Sequence, residues 1–530
     1  MADKPNQKHD GLAHIMLNSN TIFHPRIAFL IALLAGSVTV FAFAPFGLWP
    51  LQILALSVLF MLTLRAASVR IAMQLGWAFG CALIAAGTHW LYVSLHDYGG
   101  LPALLAALAV LLLAACLGIF YALALGAASW LSIRVKNTTL AALIIMPACW
   151  MLADWSRGWV FTGFSWIATG YAHNASPLAG FAAVAGVYGV GWLAALMAGC
   201  IALLMQHRML HKKALALLIL IPLMGMALQS VRWTSPAGQA ISVRLLQGNV
   251  PQDMKFDASK LADSLKMYRQ MITEAPADLI ATPETALPIL ASQLPQGYLE
   301  QFAAYANNSG SHIIVGVPWT TGPGIYLNSV IGFPASDVSP LYRYDKHHLV
   351  PFGEFIPPGA RWFIDMMQIP LGDFGRGDLL QLPMKIKDQW LLPNICYEDL
   401  FGEEIATQLE AAHMRGIPMA SILLNVSNIA WFGDTIALPQ HLQISQMRTL
   451  ETGRPMLRAT NTGATAVIDA QGKVTASLPA YTRATLAATV QGTEGRTPYI
   501  VMGNSLPVGW AALLLLLCWW HARRQTRLPE

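Results

Sequence analysis

The sequence predicts two fold classes in one chain: a membrane domain of about eight transmembrane helices and an α/β domain outside the membrane. Only 12% of the 530 residues are charged and 55% are hydrophobic, whereas soluble proteins carry about 25% charged residues. Long apolar runs fill residues 26–230, and another lies near the C-terminus. Between them, residues 231–500 have the charges, turns and alternating patterns of a soluble domain that is long enough to bury its own core.

The membrane spans follow from the length of the apolar runs. A helix needs about 20 apolar residues to cross a bilayer. The predicted spans are 26–44, 48–65, 72–93, 101–131, 138–156, 176–206, 213–230 and 506–521. The fourth and sixth are longer than a bilayer requires, so we expect them to tilt or to extend beyond it.

The orientation follows from lysine and arginine in the short loops, because cytoplasmic loops carry the excess of these residues. Basic residues cluster before the first span, after the second, fourth and sixth spans, and in the tail: Lys4, Lys8, Arg26, Arg65, Arg70, Arg134, Lys136, Arg208, Lys212, Lys213, Arg523, Arg524 and Arg527. Both termini are therefore predicted to be cytoplasmic. Ala42-Phe43-Ala44 resembles a signal-peptidase site, but the preceding apolar stretch is too long and follows a polar leader, so we expect no cleavage.

The predicted organisation is a cytoplasmic leader (1–25), a membrane domain of seven helices (26–230), an exported domain (231–500), and a final helix with a cytoplasmic tail (501–530). The net charge of +5 requires no nucleic-acid partner, because the basic residues lie beside the spans.

One of the six cysteines stands apart from the others. Five lie within apolar spans, where they act as small hydrophobic residues. Cys396 alone belongs to the exported domain, so it has no partner there for a disulfide and is either incidental or reactive. It follows the apolar run QWLLPNI and precedes a helix-like segment, and such a strand-to-helix turn exposes a nucleophile beside backbone N–H groups.

Two charged groups upstream can activate a thiol. DLIATPETALP is a short apolar strand that runs into Glu284, which suits a general base if the carboxylate is partly desolvated. RYDKHHLVPFGEFIP places Lys346 and Glu354 in a loop rich in glycine and proline. An ammonium there can stabilise a thiolate and an oxyanion, whereas each charge taken alone is more typical of a solvated surface residue.

Four motifs in order, PE, KHHLVPFGEF, ICYE and SNIAWFG, resemble the nitrilase superfamily of carbon–nitrogen hydrolases. Joined to seven preceding spans and one following span, the chain resembles the bacterial apolipoprotein N-acyltransferase family over essentially its whole length. The resemblance implies an α-β-β-α sandwich. It further implies Glu284 as general base, Lys346 as oxyanion stabiliser and Cys396 as nucleophile, with Glu354, Tyr397 and Glu398 in support.

The same resemblance implies the reaction. An acyl chain passes from a membrane phospholipid through a Cys396 thioester to the N-terminal amine of a diacylglyceryl-cysteine lipoprotein, at the bacterial inner membrane with the catalytic domain in the periplasm. It implies no cofactor and a monomer. A cysteine suits this transfer because a thioester reacts with amines more readily than an ester does. No metal-ligand spacing is present, since His347 and His348 are adjacent.

The chain departs from the family pattern twice: Phe256 stands where members often have Trp, and Ile429 stands where they often have Asp. Neither departure touches the triad. Two apolar stretches have further candidate roles. Residues 354–377 form either a lipid-facing lid or a tucked core segment, and residues 158–171 form either an interfacial aromatic belt or a wall of the lipid entrance. The candidate lid and substrate-binding residues are Phe256, Phe355, Trp362, Phe363 and Trp431.

Two rival functions use the same observations. A membrane-tethered amidase or nitrilase acting on a small amide would need the same triad, but not eight spans. A transporter with a sensory domain would need ionisable residues along its spans, and the sequence has few, His89 and Asp154 lying near span ends. Acyl transfer is therefore the favoured prediction.

Overall fold

The computed structural model describes residues 24–206, 212–255, 258–322, 324–336, 341–356 and 374–525. Among these, seven helical stretches are long and apolar enough to cross a membrane: Pro25–Ala42, Val69–Thr88, Ala103–Val135, Thr138–Arg157, Pro177–Gln206, Lys212–Gln229 and Ser505–Gln525. The apolar helix Pro50–Leu64 is shorter. These eight elements coincide with the eight predicted spans, and the polytopic helical class is confirmed. The long fourth span is one continuous helix of 33 residues.

Asp154 and Arg157, a charged pair of the membrane domain, are buried and lie against each other. Asp154 accepts hydrogen bonds from the Tyr121 hydroxyl (2.6 Å) and the Thr169 backbone N–H (2.9 Å). Arg157 lies 3.5 Å from the same carboxylate and donates to the Trp166 carbonyl at 2.9 Å. Because burial of an unpaired charge is costly, this pairing ties the segment after Arg157 back onto the bundle.

Two six-stranded sheets form the second part of the chain. In sequence order the strands of these sheets are β2 Ile241–Gln247, β3 Leu279–Ala281, β4 His312–Gly322, β5 Ile325–Phe333, β6 Tyr342–Asp345, β7 Met384–Ile386, β8 Gln389–Ile395, β9 Ile422–Ser427, β10 Met456–Thr460, β11 Ala466–Ile468, β12 Val474–Ser477 and β13 Ala484–Val490. One sheet has the order β13-β2-β3-β4-β5-β6, and the other has the order β12-β11-β10-β9-β8-β7. A two-stranded ribbon pairs β1 Ser235–Pro236 with β14 Thr493–Glu494. Strands β2, β3 and β4 run parallel, as do β8, β9 and β10.

The sheets pack face to face with helices outside them. Along β2 and β3, Val243, Leu245 and Leu279 face a core shared with the other sheet, whereas Leu246 and Ile280 face helices Ala258–Thr273 and Tyr298–Ser309. This alternation is the two-residue period of a strand. Helices Gly402–Met414 and Ala437–Thr452 cover the second sheet, so the predicted α-β-β-α sandwich is confirmed.

The sandwich docks on the helical bundle through residues 158–171. The Tyr397 hydroxyl donates to the Gly163 carbonyl (2.6 Å), Ser165 donates to the Leu400 carbonyl (3.3 Å), and Trp166 donates to Gln440 (2.8 Å). Tyr397 and Leu400 belong to the same apolar cluster as the bundle core. Sequence analysis offered a membrane belt or a lipid wall for this segment, and the structure adds a third role for its inner half, which is to hold the catalytic domain.

Candidate active site

Glu284 lies just beyond β3, on a turn that lies directly against β4. A Cβ atom on Gly316 of β4 would lie 2.3 Å from the Pro283 carbonyl oxygen and 2.7 Å from the Thr285 nitrogen, so only glycine permits this approach. This turn directs the side chain of Glu284 into the protein, and the residue is 7% exposed. A carboxylate at this position needs partners, because an unpaired buried charge is unstable.

Lys346 supplies the main partner. It follows β6, is 1% exposed, and places its ammonium 3.2 Å from Glu284 and 2.9 Å from Glu354. Asn328 of β5 donates its amide to both carboxylates, at 2.8 and 2.7 Å. The Asn428 backbone N–H reaches the other oxygen of Glu284 at 2.9 Å. The predicted base, the predicted cation and the predicted supporting carboxylate are therefore brought together.

Cys396 begins the turn after β8 with φ of 53°, in the left-handed region that residues other than glycine rarely adopt. Such backbone strain persists only where surrounding contacts hold it. Two side chains donate to the Cys396 carbonyl: Asn425 of β9 and His441 of helix Ala437–Thr452, each at 3.3 Å. Cys396 as a whole residue is half-buried.

The orientation of His441 is determined by its neighbours. Arg458 donates to its Nδ1 at 2.8 Å, and because a guanidinium only donates, Nδ1 accepts and Nε2 carries the proton given to Cys396. Asp399 lies 3.0 Å from Arg458. The ring of Trp166 stacks on His441 with an interplanar angle of 9°. A chain of contacts therefore runs from the bundle segment through His441 to the nucleophile's backbone.

Glu398 and Tyr397 support the turn and do not face the triad. The Glu398 carboxylate accepts from the backbone N–H groups of Ile395 (2.6 Å), His347 (2.7 Å) and His348 (3.2 Å). It thereby links the loop that carries Lys346 to the strand that carries Cys396. Burial raises the pKa of Glu398 to about 7, against the opposing effect of these amides.

The charges of the site act on one another. Burial works against ionised Glu284, but Lys346 and Asn328 outweigh it and lower the pKa of Glu284. Burial and the carboxylates of Glu284 and Glu354 raise the pKa of the Cys396 thiol, with Lys346 opposing them. The resting pair is thus a neutral thiol and a carboxylate. In this arrangement a carboxylate can take the thiol proton as the sulfur attacks, and an ammonium can meet the developing oxyanion.

The remaining predicted residues have separate outcomes. Phe256, Trp362 and Phe363 lie outside the described residues, as do Met366, Met367 and Ile369 of the predicted lid. Phe355 is partly buried, with the Arg376 guanidinium 5.2 Å from its ring centre, and Trp431 meets the ring of Tyr98 at 6.0 Å. No group of three or more metal-binding side chains is present in the described part of the chain.

Sequence reasoning missed four groups that contact the triad: Lys255, Asn328, Asn428 and His441. Asn328 carries no signal of this kind in the sequence, whereas Asn428 lies within the motif SNIAWFG, whose role was not assigned residue by residue. Lys255 lies one residue before Phe256, within a motif that the resemblance already marked. His441 lies in a polar helix, which sequence alone predicts to face solvent.

Comparison with known proteins finds similar families and similar chains. The family model for the apolipoprotein N-acyltransferase N-terminal domain matches residues 35–200, and that for carbon-nitrogen hydrolase matches residues 242–499. The apolipoprotein N-acyltransferase of Ralstonia nicotianae is 47% identical, with 94% of each chain covered. That of Nitrosomonas europaea is 45% identical, covering 93% of this chain and 97% of its own. Yeast Nit3, a nitrilase-superfamily structure, aligns over 48% of this chain and 91% of its own at 16% identity, with a TM-score of 0.36.

Proposed function

Because the chain belongs to the apolipoprotein N-acyltransferase family, we propose that Glu284, Lys346 and Cys396 carry its acyl transfer as base, oxyanion partner and nucleophile. The observation that carries this proposal is the placement of one buried ammonium between two carboxylates, all three acting on the charge state of the Cys396 thiol. The chain is an acyltransferase, and the eight-span architecture favours lipid substrates over the small amide of a tethered amidase.

The first half-reaction acylates the enzyme. Glu284 takes the proton from the Cys396 sulfur as the sulfur attacks the ester carbonyl of a phospholipid. The tetrahedral oxyanion forms beside the Lys346 ammonium, and its collapse breaks the ester C–O bond. The leaving lysophospholipid oxygen receives the proton from Glu284. The acyl chain then remains on Cys396 as a thioester.

The second half-reaction transfers the acyl chain from the enzyme to the acceptor amine. The free α-amine of a diacylglyceryl-cysteine lipoprotein attacks the thioester carbonyl, and Glu284 takes the amine proton. The C–S bond breaks, an amide is formed, and the proton returns to the sulfur. Because the sandwich is held against the bundle through residues 158–171, the site stays near the leaflet that contains both lipid substrates, and positioning replaces diffusion.

A discharge experiment separates transfer from hydrolysis. Purified enzyme is first charged with a phospholipid labelled in its acyl chains, and a diacylated lipopeptide with a free N-terminal cysteine amine is then added. Transfer predicts that the label moves into an amide on the lipopeptide, resistant to neutral hydroxylamine. Release of the label as free fatty acid, with none on the lipopeptide, would instead favour the amidase-like alternative. A lipopeptide with an acetylated N-terminus is the matched control.

We also propose the placement of the chain in the cell: the bacterial inner membrane, both termini cytoplasmic, residues 231–500 periplasmic between the helices of 26–230 and 501–530, and a monomer. The alternation of basic loops supports the orientation. A reporter active only in the cytoplasm should work after Lys213 and at the C-terminus, and should be silent near Gly322. Activity at Gly322 would reverse the orientation.

A further inference from the structure

A second buried lysine lies beside the triad. Lys255 belongs to helix Gln252–Lys255, is 4% exposed, and donates its ammonium to the backbone carbonyl of Glu284 at 3.1 Å. Its charge interacts with the Glu284 carboxylate and with Cys396. Within the described residues Lys255 has no carboxylate within ion-pair distance, so the carbonyl is its direct contact.

The charges of the site explain why a second cation is needed. Glu284 and Glu354 are both negative and share Lys346, so these three groups alone carry a net charge of −1. Both carboxylates raise the pKa of the Cys396 thiol. When Glu284 takes the thiol proton, one negative charge moves from Glu284 to the sulfur and then to the oxyanion, while the net charge of these groups stays at −1. An uncompensated charge in a poorly solvated site is unfavourable.

We propose that Lys255 is an electrostatic positioning residue of the acyl-transfer site: its ammonium brings the resting cluster to neutrality and fixes the base turn through the Glu284 carbonyl. The cluster then stays neutral as negative charge moves from Glu284 to the sulfur and the oxyanion. The inference rests on the proposed function of Cys396 as nucleophile and deepens it by adding a group that acts through Glu284 and Cys396.

The groups that face Lys255 are therefore Glu284 on the base turn and Cys396 on the nucleophile turn, with Lys346 and Glu354 behind Glu284. Asp253, on the same short helix, is exposed. Burial lowers the pKa of Lys255 to about 8, although Glu284 and Cys396 work against that decrease. Lys255 thus carries its charge at neutral pH and loses it in mildly alkaline solution.

Two substitutions separate the charge from the hydrogen bond. Lys255→Gln keeps a donor for the Glu284 carbonyl but has no charge, and Lys255→Met has neither. The exposed Lys266 on the following helix provides the matched control, Lys266→Met. The readouts are the rate of Cys396 alkylation by iodoacetamide and the rate of thioester formation from phospholipid in mixed micelles, each from pH 6 to pH 9.

The inference predicts that Lys255→Gln and Lys255→Met slow both reactions by about tenfold or more near pH 6.5, since one pKa unit corresponds to a tenfold change. The deficit should shrink towards unity near pH 9, because the wild-type lysine is then neutral too. Lys266→Met should match wild type throughout.

Three outcomes would overturn the inference: a Lys255→Gln variant equal to wild type at every pH, a deficit that does not change with pH, or loss of folding in both variants, which would assign Lys255 to the fold. The alkylation rate distinguishes failure of the inference about Lys255 from failure of the proposed acyl transfer, because alkylation needs no phospholipid. If wild-type enzyme forms no thioester, the acyl-transfer proposal fails, while iodoacetamide still tests the charge of Lys255 on the thiol.

Discussion

The two buried sides of Cys396 are built on different patterns of ion pairing. On the side of the base, Glu284 and Glu354 share the ammonium of Lys346 in ion pairs, and the second ammonium, on Lys255, contacts a backbone carbonyl instead. On the opposite side, each guanidinium has its own carboxylate: Arg458 pairs with Asp399 at 3.0 Å, and Arg448 pairs with Glu451 at 2.9 Å. We refer to these as the base side and the docking side.

The docking side pairs each guanidinium with one carboxylate and reaches the membrane domain. Glu451 accepts the backbone N–H of Val187 in span Pro177–Gln206 at 2.8 Å, and Arg458 holds His441 against Trp166. The difference teaches that one-to-one ion pairs hold the turn of Cys396 in place, whereas the two carboxylates that share an ammonium include the proposed proton acceptor, Glu284. Substitutions on the two sides should therefore fail in different ways.

The largest effect is expected on the base side. Glu284→Gln keeps the shape of the side chain but cannot take a proton, so thioester formation should slow by about 10²–10⁴-fold, the usual contribution of a general base. The thiol remains present, and mass spectrometry of the intact protein should show no change at Cys396. Glu300→Gln, on the exposed face of helix Tyr298–Ser309, is the control. Thioester formation in Glu284→Gln at the wild-type rate would remove Glu284 from the mechanism.

Lys346→Ala should follow, with a loss of about 10²–10³-fold in acylation, the range for removing one oxyanion-stabilising group. Lys346→Arg should rescue poorly, because the planar guanidinium differs in shape and hydration from an ammonium. Lys473→Ala, an exposed substitution, controls for the loss of a lysine. Initial rates must be compared in samples shown to be folded, since removing Lys346 also leaves two carboxylates unpaired. A folded Lys346→Ala enzyme with near-normal rates would contradict the assignment.

On the docking side, Arg458→Met should reduce stability. It leaves the Asp399 carboxylate buried without its partner, and breaking a buried pair in this way costs about 3–5 kcal/mol. Thermal unfolding in detergent, followed by tryptophan fluorescence, should shift to lower temperature. Folded molecules should still form the thioester. An unchanged unfolding temperature together with lost acylation would contradict the assignment of the docking side to stability and of the base side to catalysis.

The pH dependence of stability tests the role of Glu398, which links the loop of Lys346 to the strand of Cys396. The pKa of Glu398 is about 7 in the folded protein, against about 4.3 for a free glutamate, so the folded state binds more protons between these values. Its contribution to stability is present below about pH 4.3 and is lost as pH rises towards 7. Glu398→Gln should flatten this part of the curve of unfolding temperature against pH. An identical slope in wild type and variant would reject the raised pKa.

The smallest effect is expected from Tyr397→Phe. The ring stays in the apolar cluster that joins the two domains, and only the 2.6 Å hydrogen bond to the Gly163 carbonyl is lost. A buried hydrogen bond of this kind contributes about 0.5–1.5 kcal/mol. The unfolding temperature should fall slightly and the rate of thioester formation should stay within a few-fold. A loss as large as that of Glu284→Gln would place Tyr397 among the reacting groups.

Much of the base side could be predicted from sequence because Glu284 and Cys396 each follow a short apolar strand. The two strands, β3 and β8, belong to different sheets, so the contact between the sheets could not be predicted from the order of the strands. The spans could also be predicted, since a bilayer demands a long uncharged run. The order of motifs then connected Lys346 and Glu354 with Glu284 and Cys396.

The docking side could not be predicted in the same way. Helix Ala437–Thr452 carries Gln440, His441 and Ser445, all buried, whereas polar residues on a helix ordinarily face solvent. Their partners lie in the bundle and on strands distant in sequence, so the pattern alone does not show that they are covered. The burial of Lys255 was not predicted for a related reason, because a lone lysine after a turn is most often exposed.

The most direct test of the central claim is the mass of the peptide that contains Cys396 after incubation with phospholipid alone. The account predicts a fatty acyl increment on that peptide, released by neutral hydroxylamine because it is a thioester, and absent from Cys396→Ala. An enzyme that transfers acyl chains to a lipopeptide in the same preparation, yet never shows acyl mass on the Cys396 peptide, would contradict the covalent mechanism.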